Sequence, residues 1–234
     1  LESKPYNAGR SGVTKDNPLL LMDAYDLAYL SWSTQNTYTP FGSNNTQKYY
    51  ALGADIDLQG RQWVPIGHGH NVNIANDSYA NRRFYGAIDG GKYDAGGLIA
   101  YSAGLNEFIN IDFENAYISG TGSYYAFLVA YSRATQANRG LNVNNVNINS
   151  GYIYSSQQSN VYMGTLAGFI RPEGKAINIS NVVNNAEVVT TGNHLGGIIG
   201  HIDENGNHNA DSEEVNTNIK LNNVINNATI TGNQ

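Results

Sequence analysis

Apolar positions change their rhythm once along this chain. Leu20, Leu21, Ala24, Leu27, Ala28 and Leu30 recur at three- and four-residue steps, the spacing that lays one apolar stripe along a helix. Asp16 and Asn17 precede them as capping residues, and Pro18 stands where a first helical turn tolerates a missing N–H. The spacing predicts a helix over Pro18 to Trp32, with residues 1–17 as an N-terminal extension. A run of Ser, Thr, Gln and Asn with Pro40 and Gly42 then reads as a loop. Beyond Tyr49 the helical period disappears. Pairs such as Tyr50 and Leu52, then Ile56 and Leu58, alternate with polar residues and are broken at close intervals by Gly, Asn and Asp. That is the pattern of many short strands, which fits a sandwich, a barrel or a solenoid.

Internal repetition separates these three. Four segments align: Ile109-Asn-Ile-Asp-Phe-Glu-Asn-Ala-Tyr-Ile118, Leu141-Asn-Val-Asn-Asn-Val-Asn-Ile148, Ile177-Asn-Ile-Ser-Asn-Val-Val-Asn-Asn-Ala-Glu-Val188 and Ile219-Lys-Leu-Asn-Asn-Val-Ile-Asn-Asn-Ala-Thr-Ile230. Their starts are 32, 36 and 42 residues apart, and this variable step argues against a closed propeller. A small apolar piece recurs between them: Tyr125-Ala-Phe-Leu-Val-Ala130, Met163-Gly-Thr-Leu-Ala-Gly-Phe-Ile170 and Leu195-Gly-Gly-Ile-Ile-Gly200. Each unit thus pairs Asn-punctuated strands with a Gly-flanked apolar strand. The order predicts an all-β parallel solenoid, one domain over residues 18–234 with repeats from about residue 50. Asn and Gly are expected at corners needing left-handed backbone angles, with Asn side chains bonding their equivalents one repeat away. The helix is expected to act as the N-terminal lid. Ile230-Thr-Gly-Asn-Gln234 stops inside a repeat, which leads us to expect a longer natural chain.

Composition narrows the partners. Charged residues make up only 14%, while Gly (26), Tyr (17) and Asn, about one position in seven, fill the shortfall. Lys and Arg number 13 against 19 Asp and Glu, a net charge of −6. That is the wrong sign for nucleic acid or anionic lipid. With no cysteine, disulfides, cysteine zinc sites and a thiol nucleophile are excluded. No apolar run approaches the ~20 residues that span a bilayer, and the first residues do not read as a signal peptide, so a mature or excised segment is expected.

Candidate chemistry is sparse. Asp55 and Asp57, two apart, share a face of any strand and suit paired carboxylates or calcium, or else satisfy backbone N–H groups at a corner. The stretch from His68 to Arg83 is the densest polar and aromatic patch. Its His68, His70, Tyr79, Arg82 and Arg83 suit stacking on sugars and hydrogen bonding to acidic groups, or form a solvated loop. Residues 203–214 concentrate acid without the spacing of a calcium loop. The tyrosines in Tyr124 to Tyr131 and Tyr152 to Tyr162 can form an external strip, although about half of them belong in the wall or core. No nucleophile elbow, His-Glu-x-x-His, Walker loop or dinucleotide fingerprint occurs.

Two runs carry a resemblance. Asp55-Ile-Asp-Leu-Gln-Gly-Arg-Gln-Trp-Val-Pro-Ile-Gly67 and Phe84-Tyr-Gly-Ala-Ile-Asp-Gly-Gly91, followed by Gly196, Gly197 and Gly200, resemble the right-handed parallel β-helix domains with GLUG-type repeats. Such domains occur in bacterial adhesins and in N-terminal regions of immunoglobulin-A-cleaving metallopeptidases. The likeness spans about Leu19 to Gly232, is interrupted by the insertion His68 to Arg83, and has Ala100 and Ala130 where the motif's last Gly would stand. It implies an all-β, right-handed parallel β-helix with an N-terminal capping helix, and architectural roles for Asp55, Asp57, Trp63, Pro65, Gly67, Gly86, Asp89, Gly90, Gly196, Gly197 and Gly200. Its functional implication is a non-catalytic, cofactor-free module, extracellular on a bacterial surface or secreted. Such a module would bind a glycan or a host surface protein, without nucleic acid and without inserting into a membrane. Two alternatives stand beside it. One is a polysaccharide-degrading β-helix enzyme, for which Asp112, Glu114 and Glu187 are the strand-borne acids. The other is a scaffold segment of a large surface peptidase.

Overall fold

The protein is seen in a computed structural model that describes residues 1, 3–36, 48–58, 66, 86–89, 98–103, 106–120, 123–133, 140–172, 175–203 and 219–232. In chain order its elements are a 3₁₀ turn at Pro5–Asn7, β1 (Leu19–Leu21), α1 (Ala24–Asn36), β2 (Lys48–Leu52), β3 (Gly86–Asp89), β4 (Ile99–Ala103), β5 (Asn106–Phe113), β6 (Ala116–Gly120), β7 (Tyr124–Tyr125), β8 (Val129–Arg133) and β9 (Leu141–Ile148). There follow β10 (Gly151–Ser155), β11 (Tyr162–Met163), β12 (Ala167–Arg171), β13 (Ile177–Asn184), β14 (Glu187–Thr190), β15 (His194–Leu195), β16 (Ile199–Ile202), β17 (Ile219–Asn226) and β18 (Ile230–Gly232). These strands form four sheets, ordered β1-β2-β3-β5-β9-β13-β17, β18-β14-β10-β6, β15-β11-β7 and β16-β12-β8-β4. Every registered pair, from β1 with β2 to β13 with β17, is parallel.

The long strands of the first sheet are bent by one residue each. Asn110, Asn145, Asn181 and Asn223 have φ of 55°, 56°, 52° and 53°, the left-handed region that Asn tolerates better than other side chains. In β9, Leu141, Val143, Val146 and Ile148 are buried while Asn144 and Asn145 face out together. The left-handed residue therefore absorbs one step of the alternation, and apolar side chains before and after it reach the same core. Side chains tie the bends together: Asn145 Nδ2 donates to Asn110 Oδ1 at 2.8 Å, Asn181 Nδ2 to Asn144 Oδ1 at 2.9 Å, and Asn223 Nδ2 to Asn181 Oδ1 at 2.9 Å.

The bend also corrects the repeat alignment. Leu141 pairs with Asn106, and Asn147 with Asp112, so the first step is 35 residues rather than the 32 expected from sequence. Ile109-Asn-Ile111 imitates the opening of the other repeats, yet Asn110 is the left-handed bend and not the start. The later steps hold: Ile177 pairs with Leu141 and with Ile219.

The N-terminal region departs further from expectation. The apolar stripe predicted a helix from Pro18, but Leu19–Leu21 is a strand, paired with Tyr50–Leu52, that buries Leu19 and Leu21 completely. The helix waits for a better cap. Asp23 Oδ1 accepts from Asp26 N at 2.9 Å, and Asp26 Oδ2 accepts from Met22 N at 2.8 Å, a reciprocal capping arrangement. Buried Asn7 seals the outer edge of β1: its Oδ1 accepts from Leu20 N at 2.8 Å and its Nδ2 donates to Leu20 O at 3.2 Å. A side-chain amide thus stands in for the missing neighbour strand. Tyr6 donates its hydroxyl proton to buried Asp26, and burial together with that carboxylate raises the phenol well above its usual range.

A right-handed solenoid opened by a helix at 18–32 is accordingly not what the chain forms. Among the described residues the pairing defines an all-β arrangement of four parallel sheets with one short helix and no closed barrel. The first sheet opens on β1, with the helix placed after it.

The core runs between the sheets as columns of equivalent residues. Phe108, Val143 and Ile179 are in register and fully enclosed, each contributing about 1.5–3 kcal/mol by burial. At the far end of the column Leu221 is 54% exposed, because β17 is the last of the described strands of its sheet. Buried Asn184 interrupts one column without cost in unmet hydrogen bonds. Its Nδ2 donates to Asn226 Oδ1 at 2.7 Å and to Ala186 O at 3.0 Å, while its Oδ1 accepts from Ala186 N at 3.0 Å.

Candidate binding face

The sheet of β6, β10, β14 and β18 presents its alternate residues outward. Ala116, Ile153, Ser155, Val188 and Thr190 are buried; Tyr117, Ser119, Tyr154 and Glu187 are exposed, and Tyr152 and Val189 are half-buried. This follows from the period of two along a strand. Parallel pairing then aligns the outward residues in rows. Tyr117, Tyr152 and Glu187 are direct partners in one row, and Ser119, Tyr154 and Val189 in the next.

Three rings therefore share one face. Tyr117 and Tyr152 lie 5.9 Å apart between centroids at 12°, and Tyr152 and Tyr154 lie 6.3 Å apart at 10°. Tyr117 is 66% exposed and Tyr154 36%. Along its row Tyr154 has only Ser119 and Val189 beside it, so no aromatic neighbour covers it there. β6, β10, β14 and β18 carry no Lys or Arg, and Glu187 is their one acid. Chemically this is an apolar, hydroxyl-edged surface with a carboxylate at its border. It suits stacking on the less polar face of a sugar ring, with the phenol groups as hydrogen-bonding rims.

A second aromatic group is packed rather than open. Tyr124 stacks on Tyr162 at 5.2 Å and Tyr162 on His194 at 4.4 Å; beside this column Tyr131 stacks on Phe169 at 5.1 Å, with His201 next to Phe169 at 5.2 Å. The columns meet edge to face, as in Tyr162 against Phe169 at 5.0 Å and His194 against His201 at 4.7 Å. Such contacts leave no space for a ligand between the rings. Burial first, then Tyr131 and Tyr162, push the Tyr124 phenol up to about 12, while Arg171 acts in the opposite sense. Burial first, then His201, lower His194.

The acids considered for catalysis divide between sheets. Asp112 Oδ1 accepts from Asn147 Nδ2 at 2.7 Å, and Glu114 accepts from Asn149 Nδ2 at 2.6 Å and Ser150 Oγ at 3.2 Å. Both serve ladder bonds alongside the first sheet, whereas Glu187 lies on the tyrosine-bearing one. Among the described residues no group of three His, Cys, Asp or Glu is placed to hold a metal ion.

The residues singled out from sequence are distributed as follows. His68, His70, Tyr79, Arg82 and Arg83 lie outside the described residues, as do Trp63, Pro65, Gly67 and Gly90, and all but Asp203 of the acidic stretch 203–214. Asp55 and Asp57 are exposed on either side of buried Ile56. Gly86 and Asp89 are the ends of β3, opposite Lys48 and Ala51. At Gly196 a Cβ would sit 1.9 Å from Ile199 O, and at Gly200 2.5 Å from Gly168 O, so these two positions exclude any side chain. Gly197 faces the Asn226 side chain. Of the two tyrosine stretches, Tyr125 and Tyr131 are buried and Tyr154 is exposed, with Tyr124, Tyr152 and Tyr162 between. Sequence reading missed Tyr117. The available signal was its 35-residue offset from Tyr152, the same step that relates Asn110 to Asn145.

No protein-family model matches the chain, and no curated protein matches it in sequence. In three dimensions it is similar to the crystal structure of a putative immunoglobulin A1 protease from Bacteroides ovatus, with a TM-score of 0.58 and 17% identity over 95% of this chain and 69% of that one. The likeness is one of fold. It meets the sequence resemblance on the side of immunoglobulin-A protease structures, and leaves the GLUG-repeat assignment without support. No helix among the described residues is long and apolar enough to cross a membrane.

Proposed function

We propose that this chain is a non-catalytic binding module of an extracellular bacterial protein and that it holds glycans on the face formed by Tyr117, Tyr152 and Tyr154. The observation that carries this reading is the exposure of Tyr117 and Tyr154 beside half-buried Tyr152, three near-parallel rings on a sheet whose buried face is already satisfied by the core. Solvent-facing aromatics of this kind lose little conformational freedom on binding and are over-represented where partners dock. The diversion of Asp112 and Glu114 into ladder bonds favours binding over hydrolysis.

Affinity electrophoresis and saturation-transfer NMR with neutral oligosaccharides test the proposal. Binding is expected for the wild-type chain and a loss of at least about tenfold for Tyr117→Ala with Tyr154→Ala, the size of a hot-spot truncation. Unchanged binding in that variant moves the site elsewhere. A second reading, a scaffold segment of a surface peptidase, is favoured by the fold likeness to the putative immunoglobulin A1 protease. It is compatible with the first, since a scaffold can also carry the binding face.

A further inference from the structure

We infer that the tyrosine face selects glycans by charge, taking amino-bearing sugars before neutral ones and neutral ones before uronic acids, with Glu187 as the specificity-determining residue. The inference rests on the glycan-binding reading above and adds the chemistry of the ligand.

Three observations carry it. Glu187 is the direct parallel partner of Tyr152, one strand away from the middle ring of the three, a separation of about 4.8 Å between backbones. It is exposed, so its carboxylate remains available to a ligand resting on the rings. The described strands of that sheet, β6, β10, β14 and β18, supply no Lys or Arg that would neutralise it or greet a carboxylate, and the chain as a whole carries −6. Arg82 and Arg83, which suited acidic sugars, lie outside the described residues, and the inference concerns the tyrosine face alone. A ligand charge about 6–8 Å from Glu187 in a largely aqueous setting changes affinity roughly two- to tenfold in either direction, more at low salt than at high.

The test uses three tetramers with one β-1,4-linked backbone: cellotetraose, its 2-amino counterpart from chitosan, and its 6-carboxylate counterpart. Affinities are measured by calorimetry at one pH below the amine's pKa, with wild type, Glu187→Gln and Tyr117→Ala/Tyr154→Ala. The expected order is amine, neutral, acid, each step about threefold or more. Glu187→Gln should compress that order, bringing the three affinities together, and the double tyrosine variant should weaken all three. Binding without this order, or with the order intact in Glu187→Gln, overturns the inference and leaves the glycan-binding reading standing. Failure of all three tetramers to bind wild type overturns both. Circular dichroism of each variant separates loss of binding from loss of fold.

Discussion

Replacing Asn181 tests why each repeat keeps an asparagine at its bend. Its backbone sits at φ 52°, where an ordinary side chain costs about 1–2 kcal/mol. Its amide also joins its own repeat to the repeats on both sides, since Nδ2 donates to Asn144 Oδ1 and Oδ1 accepts from Asn223 Nδ2, each at 2.9 Å. Both bonds are exposed, so together they are worth about 1 kcal/mol, the lower end of the usual range. Asn181→Ala loses both contributions, for an expected total of about 2–3 kcal/mol. Asn181→Gly loses the bonds and loosens the unfolded chain by roughly 0.5–1 kcal/mol, but relieves the strain; its cost should be about 1.5–2 kcal/mol. Urea unfolding followed by circular dichroism, with the slope of the transition held common, resolves the two. Glycine should be the milder replacement. If alanine is tolerated as well as glycine, backbone strain does not select this residue. A double-mutant cycle with Asn144→Ala then measures the ladder bond itself.

Other consequences follow from the same structure. Ile179→Ala removes an enclosed side chain (1% exposed) and should cost about 2–5 kcal/mol, whereas Leu221→Ala, its register partner at 54% exposure, should cost about 1 kcal/mol or less in the same denaturation assay. Tyr6→Phe withdraws the hydroxyl donor from buried Asp26 and should lower stability by about 1–3 kcal/mol, with hydrogen exchange faster first at β1 and α1. His194 is held below its ordinary value of 6.5 by burial and by His201. Folding therefore favours its neutral form. The stability it contributes is complete above about pH 6.5 and is lost as pH falls through the lowered folded value. Melting temperature should decline over that window, and His194→Tyr, which matches Tyr124 and Tyr162 in its column, should flatten that part of the decline.

Local pattern revealed most of the strand content and little of the edges. The Asn-rich repeats announced both the parallel pairing between units and the left-handed bends, because one short polar side chain can meet both the backbone angle and the bond to its neighbour. The 35-residue first step was hidden by Ile109-Asn-Ile111, where two kinds of position share one local sequence. Leu19–Leu21 read as helix since Leu20, Leu21 and Ala24 fit a 3.6 period; the outcome depended on Asn7 and on the pairing with β2, both remote in sequence. Tyr117 escaped notice for a related reason. A lone tyrosine becomes part of a surface only when a residue 35 positions later stands beside it. Glu187 looked like one of three scattered acids until register placed it against Tyr152.

Register and chain length are uncoupled in this architecture. Ile177 finds Leu141 after 36 residues and Ile219 after 42, yet both pairs continue in step through the strand. The entropy of closing a longer connection grows only slowly with its length. Segments joining one strand to the next can therefore be exchanged or extended while the side-chain ladders stay matched. A peptide grafted between exposed Gln158 and Ser159, in the connection from β10 to β11, would be displayed on a backbone that does not have to be redesigned to carry it.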